Sequence, residues 1–600
     1  MIAAARVAAG TAIRTAPGLT LLYVLVMLAE ALAPIAVAWL TKAVVDSLVG
    51  DVPATGLPAL AAGLAGAGVL VAALPQVSRY LGSQIGRLFT AHTTAQLFTA
   101  TLRFAGLRPF EDPVFHDRLR LAQNGMQTGQ GIVTGSFRVV QSLVTLVGMA
   151  GSLLVISPGL TGIVLATGAP ALVAQLRLSR RRMAMLWETS PAERRQLFYG
   201  NLLGTIEAAK EIRLFNSGRF LRDRMMGELR TTNDAHRRMD LRELSVEGLL
   251  TLLGALVAGG GLVWAVIAAG SGALSAGDVS LLIAAVAAVQ NALNGLVSGI
   301  AGLHQDLIMF GHSVTVIQAE PDLPVPAAPA PMPRLRDGIR LNDVWFRYSD
   351  DHPWILRGLN LFIPAGAAVA VVGLNGAGKS TLVKLLCRFY DPQHGSITWD
   401  GVDLRHLHPD HLRQRVSGVF QDHMAYDLSA ADNISIGFVA ARGDEARVQG
   451  AAREAGIDGK LSALPRGYDT MLTRMFFSED DKDDPETGVV LSGGQWQRVA
   501  LARAMFRGRR DLMILDEASA GLDPEAEADV HGRIRRQGDG ATSLLISHRL
   551  NTVRDADLIA VLEDGVIVES GTHEQLMASG RGYARLFRLQ ASGYQEAARS

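Results

Sequence analysis

The sequence predicts two fold classes in succession: an all-α membrane domain with six helical spans, and then a soluble α/β domain. Charged residues make up only 19% of the 600 residues, against about 25% in typical soluble domains, and the mean hydropathy is +0.22. The charges are unevenly distributed, because residues 1–330 contain 25 Lys and Arg and 20 Asp and Glu, whereas residues 331–600 contain 32 and 37. These observations exclude a wholly soluble chain, and neither part is basic enough to predict nucleic acid as a partner.

Six stretches are long and apolar enough to cross a bilayer, which requires about 20 residues each. Ser157-Pro158-Gly159 divides the third stretch from the fourth and is typical of a tight turn. The first stretch also resembles a signal peptide, but five further spans and an even count favour an uncleaved helix. We therefore expect a multi-pass protein of the cell membrane, in contact with the lipid bilayer. The predicted spans are 17–45, 55–78, 135–156, 159–178, 248–271 and 278–305.

Lysine and arginine are concentrated in two long connections, 79–138 and 177–247, and are absent from the three short connections between spans. The positive-inside rule therefore predicts that the long connections and the α/β domain are cytoplasmic. Helical periodicity in the long connections predicts that the spans continue as helices beyond the bilayer. The turns at 110–113 and 215–218 are candidate docking elbows for a cytoplasmic domain.

Six prolines lie between residues 321 and 333, where the composition changes. Proline-rich segments of this kind are extended and semi-rigid. The sequence therefore predicts a membrane domain over 1–318, a linker over 319–335 and the α/β domain over 336–600.

A short apolar run at 367–372 is typical of a buried strand, and a glycine-rich segment and then a helical pattern follow it. The segment matches the phosphate-binding pattern G-x-x-x-x-G-K-[ST] in its strand–loop–helix context. Backbone N–H groups of such a loop surround phosphates, and the helix N-terminus adds a favourable dipole. We predict that Lys379 reaches the β- and γ-phosphates and that Ser380 binds Mg²⁺. The other predicted phosphate contacts are Gly373, Asn375, Gly376, Gly378 and Thr381.

A second buried-strand pattern, 512–515, ends in Asp516 and Glu517. An acid in this position binds Mg²⁺ directly or through water, and a second carboxylate orients and activates the attacking water. Together with the phosphate loop, these residues predict a hydrolase that acts on a nucleoside triphosphate.

The segment Leu491-Ser492-Gly493-Gly494-Gln495 lies between these two motifs and matches the signature of the ATP-binding cassette (ABC) transporter family. Further motifs follow the family's order. Tyr348 resembles the aromatic residue that stacks on adenine, and Gln421 resembles the Q-loop glutamine, a Mg²⁺ ligand. Asp523 resembles the D-loop aspartate, and His548 the switch histidine. The resemblance covers nearly the whole chain and implies an α/β P-loop ATPase domain of ABC type.

The resemblance implies an exporter-type half-transporter that uses ATP and Mg²⁺ and works as a dimer. Each ATP would lie between the phosphate loop of one chain and residues Ser492 to Gln495 of the other, because a glycine-rich helix start offers N–H donors to a γ-phosphate. Glu517, Gln421 and His548 would catalyse hydrolysis. A homodimer is favoured because no catalytic position is degenerate, and a heterodimer is the alternative. The elbows near Phe110–Arg118 and Glu207–Phe215 would transmit the motion to the spans.

One segment departs from the family pattern. Exporter-type members usually carry a Val-Gly-Glu step before the signature, whereas this chain has Leu472–Phe477 and then an acidic run, Ser478–Glu486. The coupling role of this loop is therefore open. A solvated loop is favoured for the acidic run, and binding of a divalent cation or of the basic connections are the alternatives.

Four polar residues in the spans are candidates for a substrate path. An ionisable side chain such as Glu30 is costly in a membrane and is by default a functional candidate. Asn291, Asn294 and Ser298 are spaced to share one helix face. The alternatives are a structural pair or gate for Glu30 and helix–helix hydrogen bonds for the other three.

The sequence therefore predicts an ATP-driven exporter of an amphipathic or hydrophobic compound, such as a drug, a lipid or a peptide natural product. About 16 residues precede the first span, so we expect no N-terminal peptidase domain. The alternatives are an importer of the same fold, for example of a metal chelate, and an ATP-responsive membrane sensor or channel.

Overall fold

The computed structural model describes residues 2–49, 56–473, 488–517, 542–547 and 550–597. The chain divides into two units. The first, which we call the membrane unit, contains Met1–Leu102 and Pro113–Ala319, and the second, the α/β unit, contains Arg103–Asp112 and Glu320–Ser600. Asp523, His548 and the acidic run of the sequence analysis lie outside the described residues.

Long helices form the membrane unit, and α4 is the one element of this stretch that belongs to the α/β unit. In chain order the helices are α1 (Ile2–Thr15), α2 (Pro17–Val49), α3 (Leu57–Thr101), α4 (Arg108–Glu111), α5 (Pro113–Gln127), α6 (Gly129–Ile156), α7 (Pro158–Gly204), α8 (Ile206–Leu214), α9 (Gly218–Gly270) and α10 (Ala276–Ile317).

Within the described residues, five helices are long and apolar enough to cross a membrane: α2, α3, α6, α9 and α10. The predicted span 159–178 lies in α7, which is not one of these five, so the count of six stays a prediction. The helix break between α6 and α7 occurs at Ser157, whose Oγ accepts a hydrogen bond from the Leu160 N–H at 3.3 Å. The 53 residues of α9 extend over about 80 Å, far more than the ~30 Å hydrocarbon core of a bilayer.

Close packing between α6 and α10 depends on glycine. A Cβ atom at Gly131 of α6 would overlap the Asp306 carboxylate, and one at Gly295 of α10 would lie 2.7 Å from Ser142 Oγ. Small residues let helix backbones approach in a membrane, where the gain comes from van der Waals packing. Gly131 and Gly295 therefore serve the packing of these two helices.

Two sheets form the framework of the α/β unit. The antiparallel sheet has the order β2-β1-β4-β5, and the larger sheet has the order β10-β9-β3-β8-β7-β6, with β10 antiparallel to a parallel core. The strands are β1 (Gly338–Phe346), β2 (Leu356–Pro364), β3 (Ala368–Val372), β4 (His394–Trp399), β5 (Val402–Asp403), β6 (Val416–Val419), β7 (Leu512–Asp516), β8 (Thr542–Ile546), β9 (Leu558–Glu563) and β10 (Val566–Gly571).

Both chemical motifs lie at one edge of the larger sheet. Strands β3 and β7 run parallel on either side of β8, so their carboxyl ends meet at the same edge, and ligands bind at this edge in open α/β sheets. The phosphate loop follows β3, and Asp516 ends β7. The described helices of this unit are α11 (Lys379–Leu386), α12 (Pro409–Gln414), α13 (Ala430–Ser435), α14 (Glu445–Glu454), α15 (Asp458–Ser462), α16 (Gly493–Phe506), α17 (Leu550–Val553), α18 (His573–Ser579) and α19 (Gly582–Ala597).

The proline-rich linker packs against the α/β unit and is not a free spacer. Arg388 is fully buried, and its guanidinium donates to the Pro324 carbonyl at 2.8 Å and to the Leu407 carbonyl at 2.6 Å. Ala330 N–H donates to the His406 carbonyl at 2.9 Å. A buried guanidinium requires acceptors, and the linker carbonyl supplies one of them.

Cys387, the one cysteine of the sequence, is buried in the core. Burial raises the pKa of its thiol to about 12, so the thiol stays protonated and unreactive at neutral pH.

Candidate active site

The loop between β3 and α11 depends on glycine for its shape. Gly376 and Gly378 have φ angles of +83° and +106°, which side chains disfavour. A Cβ atom at Gly373 would overlap the carbonyl of Leu562 in β9. The backbone can therefore wrap tightly enough for its N–H groups to face a phosphate at the start of α11.

This loop borders a cavity of about 780 Å³. Of the predicted residues, Gly373, Asn375, Gly376, Gly378, Lys379, Ser380, Thr381, Gln421 and Glu517 line it. Further lining residues that the sequence analysis did not name are Ile355, Val372, Leu374, Ser547, Leu550, Leu586 and Gln590. Among the described residues, Tyr348, Asp516 and the signature residues Ser492–Gln495 are not part of this lining.

Lys379 is buried at the base of the cavity. Its Nζ donates to the carbonyls of Gly373 and Leu374, at 2.9 and 3.0 Å. Burial lowers the pKa of the ammonium, and the charges of Glu517 and Asp516 oppose that shift. Two donors of the ammonium thus bond to the loop's own carbonyls, and a bound phosphate would replace these carbonyls with charged acceptors.

Asp516 is a buried carboxylate, 4% exposed, with one oxygen that lacks a partner among the described residues. Its Oδ1 atom has no hydrogen-bond partner among the described residues, and its side chain interacts with Ser380. Burial raises its pKa to about 6, with smaller contributions from the nearby carboxylates Glu517 and Asp422. A hydroxyl beside an unpaired carboxylate oxygen is the oxygen donor set that Mg²⁺ prefers, so these residues fit the metal. Gln421 supplies a further amide oxygen.

Glu517 is held in a strained conformation at the rim of the cavity. Its φ angle is +50°, which is uncommon for a residue with a side chain. Its N–H donates to the Ile546 carbonyl at 2.9 Å, and its carbonyl accepts from Gln497 Nε2 at 3.0 Å. Gln421 Nε2 donates to its carboxylate at 2.9 Å. Two bonds thus fix the backbone of Glu517, and Gln421 orients its carboxylate, as positioning a water molecule requires.

Tyr348 lies beside the phosphate loop in an aromatic group. Its hydroxyl lies 3.2 Å from Thr381 Oγ1, and its ring contacts the rings of Phe346 and Tyr390, with centroid distances of 5.1 and 5.3 Å. The Lys384 ammonium lies over the same ring, 5.1 Å from its centroid. This position beside Thr381 is compatible with the predicted contact to adenine.

The signature residues begin α16 on the surface. Ser492 is the N-cap, and its Oγ accepts from the Gln495 N–H at 3.4 Å while Gln495 Oε1 accepts from the Ser492 N–H at 2.9 Å. This capping box uses two of the first N–H groups of the helix, and Gly493 is exposed beside them. The helix start can meet an anion that comes from outside the chain.

Three of the four polar candidates in the membrane unit are exposed. Asn291, Asn294 and Ser298 are all exposed on α10. Glu30 is partly buried, and its Oε2 has no hydrogen-bond partner among the described residues. Glu30 and Arg138, which carry opposite charges, both interact electrostatically with Tyr23.

Three residues of these sites were missed by the sequence analysis: Gln497, Lys384 and Arg138. Gln497 lies two residues after the signature, and that proximity is the one local signal available for it. Lys384 and Arg138 reach their partners through tertiary contacts that no spacing reveals.

The comparisons with known proteins agree with this geometry. Residues 356–520 match the family model described as ABC transporter. An ATP-dependent lipid A-core flippase of Alkalilimnicola ehrlichii is 34% identical over 466 residues, which are 77% of this chain and 74% of the relative. A mitochondrial potassium channel ATP-binding subunit of Xenopus tropicalis is 33% identical over 86% of this chain and 72% of the relative.

Among solved structures, a bacterial Atm1-family ABC exporter with ATP bound has a TM-score of 0.81 and 25% identity, over 96% of this chain and 98% of that chain. This likeness confirms the predicted fold class, a helical membrane domain followed by an α/β ABC domain.

We expect Asp516→Asn to stabilise the nucleotide-free protein at pH 8. Because the folded-state pKa of Asp516 is raised to about 6, its ionised form costs stability above that pH, on the order of 3 kcal/mol, and the cost vanishes as pH falls toward the usual value for aspartate. Thermal unfolding at pH 8 and pH 5, without nucleotide or Mg²⁺, measures the difference between the variant and the unmodified protein.

The matched control is Asp422→Asn, which removes an exposed carboxylate close to the same site. We expect this control to change stability little at either pH. A lower melting temperature for Asp516→Asn at pH 8 would contradict the account.

Proposed function

This chain belongs to the ABC transporter family, and from that premise we propose that it exports an amphipathic compound with a charged head group, as a homodimer that requires Mg²⁺. The family membership and the curated relatives make it an ATP hydrolase coupled to transport across the membrane. The head group, the homodimer, the metal and the cytoplasmic location of the α/β unit are the proposed parts.

One observation carries the proposal of a homodimer. The cavity contains the phosphate loop, Lys379 and Glu517, whereas Ser492 and Gly493 are exposed and lie outside the described lining. A helix N-terminus on the surface has unmet N–H donors, which bind anions. In a two-fold symmetric dimer, the helix start of each copy would contact the ATP bound by the phosphate loop of the other copy.

The proposed hydrolysis follows from the geometry of the site. Lys379 exchanges its loop carbonyls for phosphate oxygens and neutralises their charge. Glu517, oriented by Gln421, accepts a proton from the attacking water as its oxygen bonds to the γ-phosphorus and the bond to the β,γ-bridging oxygen breaks. Ser380, Asp516 and Gln421 would hold Mg²⁺, which supplies charge neutralisation between the β- and γ-phosphates.

The charged head group is inferred from the membrane unit. Glu30 and Arg138 both interact electrostatically with Tyr23, and Glu30 Oε2 has no hydrogen-bond partner among the described residues. An unpaired carboxylate in a span is costly, so a substrate that supplies a partner is a physical reason to retain it. Asn291, Asn294 and Ser298 add an exposed polar face on α10. Several curated relatives are named as lipid A-core flippases, which supports a lipid-like substrate.

A second candidate function is an ATP-responsive channel. One relative is named as an ATP-binding subunit of a mitochondrial potassium channel. The ordered Gln421–Glu517 pair favours the transporter, because a sensor of ATP binding does not need a positioned general base. The importer alternative is not favoured, since the relatives and the structural neighbour are named as flippases and an exporter.

We expect the unmodified chain, reconstituted alone in lipid with Mg²⁺, to hydrolyse ATP. We expect Glu517→Gln to reduce turnover by a factor of about 10² or more, because the variant lacks the general base but keeps an oxygen that can accept from Gln421. Phosphate release measures the rate. ATP binding by the same variant confirms that the site is intact. No turnover by the unmodified chain would contradict the homodimer. Ion flux that persists in Glu517→Gln with bound ATP would favour the channel.

We expect an amphiphile with a cationic head group to stimulate ATP turnover more than its uncharged analogue. In Glu30→Gln the concentration needed for half-maximal stimulation rises, because the head group loses its anionic partner, and we expect roughly a three- to tenfold increase. The matched control is Asp223→Asn, an exposed carboxylate on α9 paired with the adjacent Arg222. Equal responses to both amphiphiles would refute the proposed head-group contact.

A further inference from the structure

The chain crosses from the membrane unit into the α/β unit and back within ten residues, Arg103–Asp112. We call this stretch the crossing segment. Two backbone N–H groups of this segment bond to the rest of the α/β unit: the Leu107 N–H donates to the Phe389 carbonyl at 3.2 Å, and the Gly106 N–H donates to Asp322 Oδ1 at 3.1 Å. The Ala105 carbonyl accepts from Arg413. The crossing segment is therefore anchored along its length.

The last residue of α4, Glu111, bonds to two residues beside Tyr348. Glu111 Oε1 accepts from Lys384 Nζ at 2.7 Å, and Glu111 Oε2 accepts from the Tyr390 hydroxyl. Both partners contact Tyr348, Lys384 through its ammonium over the ring and Tyr390 through an edge-to-face contact at 5.3 Å. One carboxylate thus fixes two of the groups that fix the Tyr348 ring.

Two further contacts restrict the orientation of the Tyr348 ring. Phe346 packs edge-to-face at 5.1 Å, and the hydroxyl lies 3.2 Å from Thr381 Oγ1, a residue of the phosphate loop. The Lys384 ammonium is attracted to the negative face of this ring and so favours one ring orientation. Because the ring is already oriented, ATP binding does not have to order it, and the entropy cost of ordering is avoided.

We propose that Glu111 and Lys384 are positioning residues for adenine recognition: through them, the crossing segment sets the orientation of Tyr348 and thereby the affinity of the site for ATP. The inference rests on the proposed contact between Tyr348 and adenine. It connects the crossing segment to the base end of the nucleotide, separate from the phosphate end where Lys379 and Glu517 act.

The test measures KM and kcat for ATP hydrolysis, together with direct ATP binding, on the full chain in lipid. Tyr348→Ala is the reference for loss of the base contact. Glu111→Gln removes the charge but keeps the size, and Lys384→Met keeps the aliphatic stem. We expect both to raise KM and the dissociation constant for ATP two- to fivefold, with kcat unchanged, because the loss affects binding of the base and not the chemistry at the γ-phosphate. Lys384→Arg, which retains a cation and a donor, stays within twofold of the unmodified chain.

Asp322→Asn is the matched control. It alters a second carboxylate that contacts the crossing segment but keeps the Oδ1 acceptor for Gly106, and the described contacts of Asp322 do not reach Tyr348. We expect KM to be unchanged in this variant. An unchanged KM in Glu111→Gln and Lys384→Met, or a rise that Asp322→Asn shares, overturns the inference. If Tyr348→Ala itself leaves ATP binding unchanged, the proposed contact of Tyr348 with adenine fails first.

Discussion

The negative charge of a triphosphate must be met by backbone N–H groups and by cations, and the α/β unit is organised around that requirement. Gly376 and Gly378 adopt left-handed backbone conformations so that the loop can wrap a phosphate, and α11 begins directly behind it. The second helix start rich in glycine, at Ser492, lies on the surface outside the described cavity lining. The N–H groups of the phosphate loop and those of the helix start at Ser492 form two N–H clusters, which lie apart in one chain. A second chain is the simplest way to bring both clusters to one nucleotide.

The site holds several groups in unfavourable states. Lys379 is desolvated and bonds to neutral carbonyls, Asp516 is buried with an unpaired oxygen, and Glu517 has a φ angle of +50°. Each of these costs stability in the free protein. Strained backbone and unpaired polar groups are concentrated at this site. Functional sites are where a protein is expected to depart from the local preferences that stabilise the rest of the fold. The same logic applies to Glu30 in the membrane unit, although there the ligand is a proposal.

The sequence predicted what depends on local backbone geometry. The phosphate loop follows from glycine spacing after a strand, and Asp516 from its position at the end of an apolar run, because both constraints act within a few residues. Contacts between residues far apart in the sequence could not be predicted in this way. Glu111 and Lys384 are 273 positions apart, and Arg388 reaches the Pro324 carbonyl of a linker that we expected to be a semi-rigid spacer. Gln497 holds the Glu517 carbonyl across a turn between α16 and β7 that no pattern encodes. Such pairings require the fold.

The most direct measurement is a cross-link between the phosphate loop of one chain and the signature of another. In a chain carrying Glu517→Gln to retain ATP and Cys387→Ser to remove the native thiol, Asn375→Cys and Ser492→Cys place single thiols in the two N–H clusters. The account predicts that a short bifunctional thiol reagent yields a species of twice the chain mass, dependent on ATP and Mg²⁺ and absent when either cysteine is omitted. A protein that binds ATP in this background but stays at the mass of one chain would contradict the shared site.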